Sequence, residues 1–238
     1  LTEQQLAREQ ADRANQSKSR FIAAASHDLL QPMHAARLFS TALEQSVHSS
    51  EDQQTLQQLD RALYGAESML SALLDIARLE GGTIQPKRQA YSLHDLLNDL
   101  ELQFKSIAAQ RNIQLNVHDT NFWIDTDPQW MRRIIQNFVS NALRYTAQGR
   151  VVVGVLRSAQ RPNHIRIGVW DTGPGINEQQ RVKLFQEFER CGHTSPWGEQ
   201  GLGLGLAIVQ RMTSLLDFPV HVYSELGKGS CFLIEVPL

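Results

Sequence analysis

Cysteine is scarce in this chain: Cys191 and Cys231 are the whole complement in 238 residues. Two thiols make neither a disulfide framework nor a metal-ligand cluster, and they suit a reducing compartment. Long apolar runs are missing as well. No stretch approaches the roughly 20 residues that a membrane-spanning helix needs, and no signal-peptide pattern opens the chain. Nor is there an excess of charge of one sign. Lys and Arg total 23 against 25 Asp and Glu, a formal net charge of -2, so no basic field is available to hold nucleic acid or an anionic membrane. The expectation is no nucleic-acid partner and no direct membrane contact by this stretch. Leu1 already lies in helical sequence, which leads us to expect a piece of something longer.

Helix breakers are rare in the first third. Residues 1–80 hold one glycine, Gly65, and one proline, Pro32. Apolar positions at Ile22, Ala25, Leu29, Met33, Ala36, Leu43 and Val47 advance by threes and fours, with one polar interruption near Ser40, as in a coiled coil. A polar stretch over 48–54 interrupts the pattern. It resumes as Leu56, Leu59, Leu63, Ala66, Leu70, Leu73 and Ala77. Two long helices joined by a short polar turn predict an antiparallel hairpin. One hairpin has too narrow a core to stand alone, and two can close a four-helix bundle, so a homodimer is expected.

Gly81-Gly82 and Pro86 mark a change of grammar. Ser92, with Asp95 three residues on, predicts a helix start and a helix to about 110. Strands are predicted over 113–117, 122–125, 150–156, 165–170, 220–223 and 231–236, with a hairpin across 161–163. Helices are predicted over 128–146, 177–188 and 204–216. The fold class is therefore α plus α/β: a helical hairpin over 1–85 that forms a dimeric four-helix bundle, then an α/β sandwich domain over 86–238 with one layer of each.

In Ser26-His27-Asp28-Leu29-Leu30-Gln31-Pro32, His27 falls about 200° around the helix from Ala25 and Leu29. It points away from the apolar stripe. A neutral imidazole there can attack through one ring nitrogen while the other keeps its proton, and Asp28 is the adjacent carboxylate. Pro32 should bend the helix just after it. Taken alone, an exposed histidine is more often a solvated surface residue. His34, one heptad on, is read as surface.

Three glycine-bearing segments follow. Asp171-Thr172-Gly173-Pro174-Gly175-Ile176 sets a carboxylate at a strand end beside glycines that let a ligand approach the backbone, which suits acceptance from an exocyclic amine such as adenine's. Gly201-Leu202-Gly203-Leu204-Gly205-Leu206 opens a helix, where backbone N–H groups favour phosphate oxygens. Gly227-Lys228-Gly229 reads as a hairpin turn. Each alone is equally a plain loop. On the helix predicted over 128–146, Asn137 and Asn141 stand four apart, with Arg144 three further along. That face suits Mg²⁺ and triphosphate, since magnesium takes oxygen ligands and is usually shared with phosphates.

Together these segments resemble sensor histidine kinases. Ser26–Pro32 is similar to their phospho-acceptor box, Asn137-Phe138-Val139-Ser140-Asn141-Ala142-Leu143-Arg144-Tyr145-Thr146 to the asparagine box, and Asp171–Ile176 to the first glycine box. Leu184-Phe185-Gln186-Glu187-Phe188 is similar to the phenylalanine box, Gly201–Leu206 to the second glycine box, and Gly227-Lys228-Gly229-Ser230 to the turn before the last strand. The resemblance spans nearly the whole chain. It implies a domain of the gyrase, MutL and histidine kinase type that uses ATP and Mg²⁺ to phosphorylate His27, with Asp28 orienting the ring. Asp171 would bind the adenine amine, and Asn137 and Asn141 the Mg²⁺–triphosphate. Gly173, Gly175, Arg144 and Tyr145 would lie at the nucleotide, and Gly201, Gly203 and Gly205 at the phosphates.

The implied partner is a response-regulator receiver domain, fused or separate, whose aspartate takes the phosphoryl group. The implied setting is cytoplasmic, alone or as the cytoplasmic part of a membrane-anchored sensor. Residues 190–200 would form a mobile lid. Arg144 stands where a lysine is frequent, and its planar fork changes the phosphate geometry. Gln31 departs from the Thr or Asn frequent before the proline and resembles a subgroup found in hybrid kinases, which leaves phosphatase activity unassigned. Two rivals stay open: a non-phosphorylating ATPase or chaperone, which would carry a glutamate where Asn137 stands, and a degenerate scaffold that binds no ATP.

Overall fold

The computed structural model describes residues 33–36, 38–41, 43, 49–80, 85–189, 195–197 and 203–238. The chain divides into two compact units, Leu1–Gln85 and Pro86–Leu238.

In the first unit residues 33–36 and 38–41 are helical, and a 31-residue helix, α1 (Ser50–Glu80), follows. Ser49 opens α1: its hydroxyl accepts the Asp52 N–H at 3.5 Å and its carbonyl accepts from Gln53 at 3.0 Å. The helix thus begins inside the polar stretch that the sequence assigns to a turn. A serine cap followed by Glu51 and Asp52 suits the electropositive amino end of a helix, so part of that stretch is helix. The apolar stripe of α1 also divides. Leu56 and Ala77 are buried, whereas Leu59 and Leu73 are 46 % and 40 % exposed. With Ala66, also exposed, Leu59 and Leu73 form a line one heptad apart on the outside of the unit. His34 is at the surface, its Nε2 3.6 Å from the buried Glu67.

The second unit begins with β1 (Gln89–Ser92), a strand the sequence did not announce. Two of its four residues are exposed, and it forms because β3 (Trp123–Thr126) pairs with it antiparallel. Ser92 then caps α2 (Leu93–Gln110), its side chain accepting the Asp95 N–H at 3.4 Å. Leu93, Leu96, Leu97, Leu100, Phe104 and Ala108 are the buried side of α2, at the three-and-four spacing of an amphipathic helix. The main sheet holds β2 (Ile113–Val117), β4 (Gly149–Arg157), β5 (His164–Asp171), β6 (Val220–Glu225) and β7 (Gly229–Pro237). Its order is β2-β4-β5-β7-β6, with β2 and β4 parallel and every other pair antiparallel. A parallel pair needs a crossover, and α3 (Pro128–Tyr145) supplies it.

Ile165, Ile167 and Val169 of β5 and Ile234 and Val236 of β7 are at most 1 % exposed. Phe232 lies on the same face, its ring 5.4 Å from that of Phe138 on α3. Helices cover this side of the sheet, which makes an α/β sandwich with one layer of each and the α plus α/β class read from the sequence. On the other face Glu235, 3 % exposed at its side chain, is held by Arg166 Nε at 2.7 Å and Arg161 Nε at 3.3 Å.

One helix is shorter than predicted. α4 (Glu178–Lys183) starts on an Asn177–Gln180 capping box but buries none of its residues. After it the Gln186 N–H turns back to Lys183, and the Phe188 N–H goes to the Gly203 carbonyl at 3.0 Å. Phe188 takes a left-handed φ of 61° to do so. A helix with no buried face has nothing to extend it, and the chain leaves it in tight turns.

Candidate nucleotide site

α3 carries the site. Asp127 caps it: Oδ1 accepts the Gln129 and Trp130 N–H groups at 3.0 and 3.1 Å, and Pro128 at the first position loses no bond. The other oxygen of Asp127 accepts the Lys87 N–H at 2.8 Å, so the segment entering the domain is tied to the same cap. Trp130, Met131, Ile134, Ile135, Phe138, Val139, Ala142 and Leu143 bury one side of α3. Asn137, Asn141, Arg144 and Tyr145 remain partly exposed on the other.

Asn137 donates from Nδ2 to the Arg133 carbonyl at 2.8 Å. This fixes the amide, and its Oδ1 turns toward Gly205, the first residue of α5 (Gly205–Leu216). A β-carbon on Gly205 would sit 2.4 Å from that oxygen, so only glycine lets the amino end of α5 come so close to Asn137. A carbonyl oxygen facing the amino end of a helix is a place where an anion and a shared cation both fit. Gly203, two residues earlier, needs its positive φ of 70°, and a β-carbon there would collide with the backbone of Phe188.

Nine residues along α3 from Asn137, a rise of roughly 13 Å, the helix ends at Thr146. Here the loop after β5 comes against it. Asp171 Oδ1 accepts the Gly173 N–H at 2.8 Å. Burial pushes the Asp171 carboxyl above its ordinary value, offset in part by the Gly173 and Ser230 N–H groups. A β-carbon on Gly173 would lie 2.8 Å from Asp171 Oδ1, 3.3 Å from Thr146 Oγ1 and 3.4 Å from the Tyr145 carbonyl. Thr146 is fully buried, and its hydroxyl has no hydrogen-bond partner among the described residues. Gly175, at φ 73°, packs on the β6–β7 turn, where a β-carbon would strike the Glu225 carbonyl at 2.1 Å. Cys231 lies nearby, its thiol pushed up to about 12 by burial and by the charge of Asp171.

The structure therefore sets Asn137 against Gly205 at one place along α3, and Asp171 and Gly173 against Tyr145 and Thr146 at its carboxyl end. Arg144 takes part through its backbone, its carbonyl accepting from Ser195 Oγ at 3.0 Å. The Leu143 carbonyl accepts from Arg111 Nη1 at 3.2 Å, and the same guanidinium lies 5.5 Å from the Trp197 ring. Residues 195–197, inside the stretch read as a lid, are thus anchored on the last turn of α3. His27, Asp28, Gln31, Pro32 and Gly201 lie outside the described residues. The proximity of Thr146 to Gly173 and the anchoring of Trp197 were not readable in advance, because both join segments far apart in sequence and neither carries a local signal.

Residues 17–82 match the His Kinase A (phospho-acceptor) domain, and residues 126–238 match the Histidine kinase-, DNA gyrase B-, and HSP90-like ATPase domain. The autoinducer 2 sensor kinase/phosphatase LuxQ of Vibrio vulnificus is 30% identical over 242 residues, covering 98% of this chain and 28% of LuxQ. The sensor histidine kinase AruS of Pseudomonas aeruginosa is 32% identical over 240 residues, covering 98% of this chain and 24% of AruS. The chain thus spans about a quarter of the length of these relatives. Among solved structures, full-length ShkA in complex with AMPPNP aligns with TM-score 0.75 and 26% identity over 92% of this chain and 46% of ShkA. The histidine kinase AdeS of Acinetobacter baumannii shares the fold at TM-score 0.62, with 16% identity over 89% of this chain and 94% of AdeS. No helix among the described residues is long and apolar enough to cross a membrane.

Proposed function

This chain belongs to the sensor histidine kinases of two-component signalling and is by class a protein-histidine kinase with an ATP-binding domain, and from that premise we propose that His27 takes the γ-phosphoryl group of ATP and passes it to an aspartate of a response-regulator receiver domain, fused or separate. On this reading residues 1–85 are the dimerization and phospho-acceptor hairpin, and 86–238 the catalytic ATP-binding domain. The observation that carries it is the arrangement along α3: a buried carboxylate at its carboxyl end and, roughly 13 Å of helix rise earlier, an amide oxygen facing a glycine-opened helix, a span that a nucleoside triphosphate can bridge.

The base would enter beside Asp171, whose carboxylate accepts from the exocyclic amine. Gly173 would keep a side chain away from that carboxylate, Gly175 lets the loop pack on the β6–β7 turn, and Tyr145 would border the pocket from the end of α3. The phosphates would reach the amino end of α5, where the backbone N–H groups of Gly201, Gly203 and Gly205 would meet anionic oxygens. Asn137 and Asn141 would hold Mg²⁺, and the Asn137 oxygen facing Gly205 fits that ligand. Bound there, the ion neutralises charge on the triphosphate. Arg144 would add a guanidinium to the phosphate end. At His27 a neutral Nε2 attacks the γ-phosphorus in line, while Asp28 accepts the Nδ1–H and holds the ring in the attacking tautomer. Transfer ends with a phosphoramidate on His27 and ADP in the pocket.

The line of Leu59, Ala66 and Leu73 on the outside of α1 supports a homodimer, because a second copy would cover it. The parent protein would place this stretch in the cytoplasm, free or below a membrane-anchored sensor. Incubation with ATP labelled at the γ-phosphate tests the reading. Label should appear on the protein, depend on Mg²⁺, and move to a receiver domain when one is added. Equal labelling from the α-position, or none from the γ-position, would refute it.

A further inference from the structure

The fully buried hydroxyl of Thr146, without a hydrogen-bond partner among the described residues, packs against Gly173 as the Asp171 carboxylate does. A buried hydroxyl left unpaired costs about 1–3 kcal/mol, and proteins keep such groups where something else satisfies them. Thr146 leaves α3 with extended backbone, at φ −82° and ψ 115°, and its N–H is already spent on the Ala142 carbonyl. The hydroxyl is the group left over. Its neighbourhood is rich in acceptors. The Asp171 carboxylate, the Tyr145 carbonyl and the Thr146 hydroxyl all lie within 3.4 Å of the place a β-carbon would take on Gly173. Gly173 thus brings a hydroxyl and a carboxylate of two distant segments together.

We propose that Thr146 is a specificity-determining residue for the nucleotide: its hydroxyl and the Asp171 carboxylate take the two hydrogens of one exocyclic amine at purine C6. This rests on the reading of the pocket as an ATP site and assigns the base selection within it. A purine with oxygen at C6 would set a fourth acceptor against three. One lacking any C6 substituent would leave Thr146 as it is without ligand. Gly173 belongs to the device, since any side chain there would come between the carboxylate and the hydroxyl.

Thr146→Val keeps the volume and removes the hydroxyl, and Thr146→Ser keeps the hydroxyl. Calorimetric binding of ATP and of purine riboside triphosphate, which lacks the amine, tests the assignment on the full chain with Mg²⁺. Thr146→Val is expected to bind ATP about five- to tenfold more weakly, to bind the amine-free analogue as wild type does, and to melt about 2–4 °C higher without nucleotide because an unpaired buried hydroxyl is gone. Thr146→Ser should bind ATP like wild type. An equal loss for both nucleotides, or a lower melting temperature in Thr146→Val, would assign Thr146 a structural role and overturn the proposal. Unchanged ATP binding in Thr146→Val would overturn it while leaving the ATP reading standing. Wild-type chain that binds neither nucleotide would overturn the ATP reading itself.

Discussion

Asp171 works against the stability of the unliganded domain. Burial raises its pKa above that of the unfolded chain, with the Gly173 and Ser230 N–H groups only partly compensating. In the window between the ordinary aspartate value and the raised one, the folded state binds more protons than the unfolded state. This group's contribution is therefore fully present below the ordinary value and lost as pH rises through the raised one. Asp171→Asn removes the buried charge and one good acceptor together. It is expected to melt higher than wild type at pH 8 and to bind ATP more than about tenfold more weakly, as read by calorimetry and thermal melting on the same samples. This single position was legible in the sequence, as an aspartate at a strand end followed by Gly173 and Gly175. The burial that shifts it was not, because β5 is covered there by β7, whose Ser230 pairs with Asp171 some sixty residues on in sequence. Thr146 was equally hidden: at the end of a helix it looks like an ordinary cap, and its neighbour Gly173 is a long-range contact.

Helix ends and one sheet-face carboxylate set the stability of the elements. Asp127 serves both α3 and the segment entering the domain, with three backbone N–H groups on its two oxygens. Asp127→Ala is expected to cost about 1–2 kcal/mol and to lower the melting temperature, with the ATP affinity falling because Asn137 rides on the same helix. Asp127→Asn, which keeps an acceptor, should recover most of both. Glu235 has the opposite sign from Asp171. Burial alone would push it up, but Arg166, with Ser158 and Arg161, outweighs burial and holds the carboxyl below its usual range. Its contribution is present above the ordinary glutamate value and is lost as pH falls through the lowered one. Acid unfolding monitored by circular dichroism should accordingly be less steep in Glu235→Gln than in wild type.

At this scale the sequence was read well where a pattern is local. Ser92 before Asp95 and the alternation through Ile165, Ile167 and Val169 carried their own signals. It was read poorly where pairing partners decide. Gln89–Ser92 is a strand because of β3, and beyond Lys183 the chain closes in tight turns before Phe188 is tied to Gly203. At Ser49 two local signals compete: a polar run predicts a turn, while its serine and acids mark the helix start that the structure has.

For the whole molecule, the two units pose different questions. The exposed line of Leu59, Ala66 and Leu73 on α1 suggests a surface made for a second copy, since isolated apolar residues are common on surfaces but a heptad-spaced line is the pattern of a helix seam. Leu59→Glu with Leu73→Glu is expected to convert a dimer to a monomer in sedimentation or light scattering, without loss of ATP binding by the second unit. A wild-type chain that is monomeric at high concentration would count against the bundle. The division of labour between the units, one accepting the phosphoryl group and the other delivering it, is the claim on which the rest depends. It is tested most directly by mapping the phosphorylated residue after incubation with γ-labelled ATP and Mg²⁺. The expected result is an acid-labile, base-stable label on the peptide that contains His27, absent from His27→Gln although that variant binds ATP as wild type does. Label that persists in His27→Gln, or wild-type chain that binds ATP and acquires no label, would contradict it.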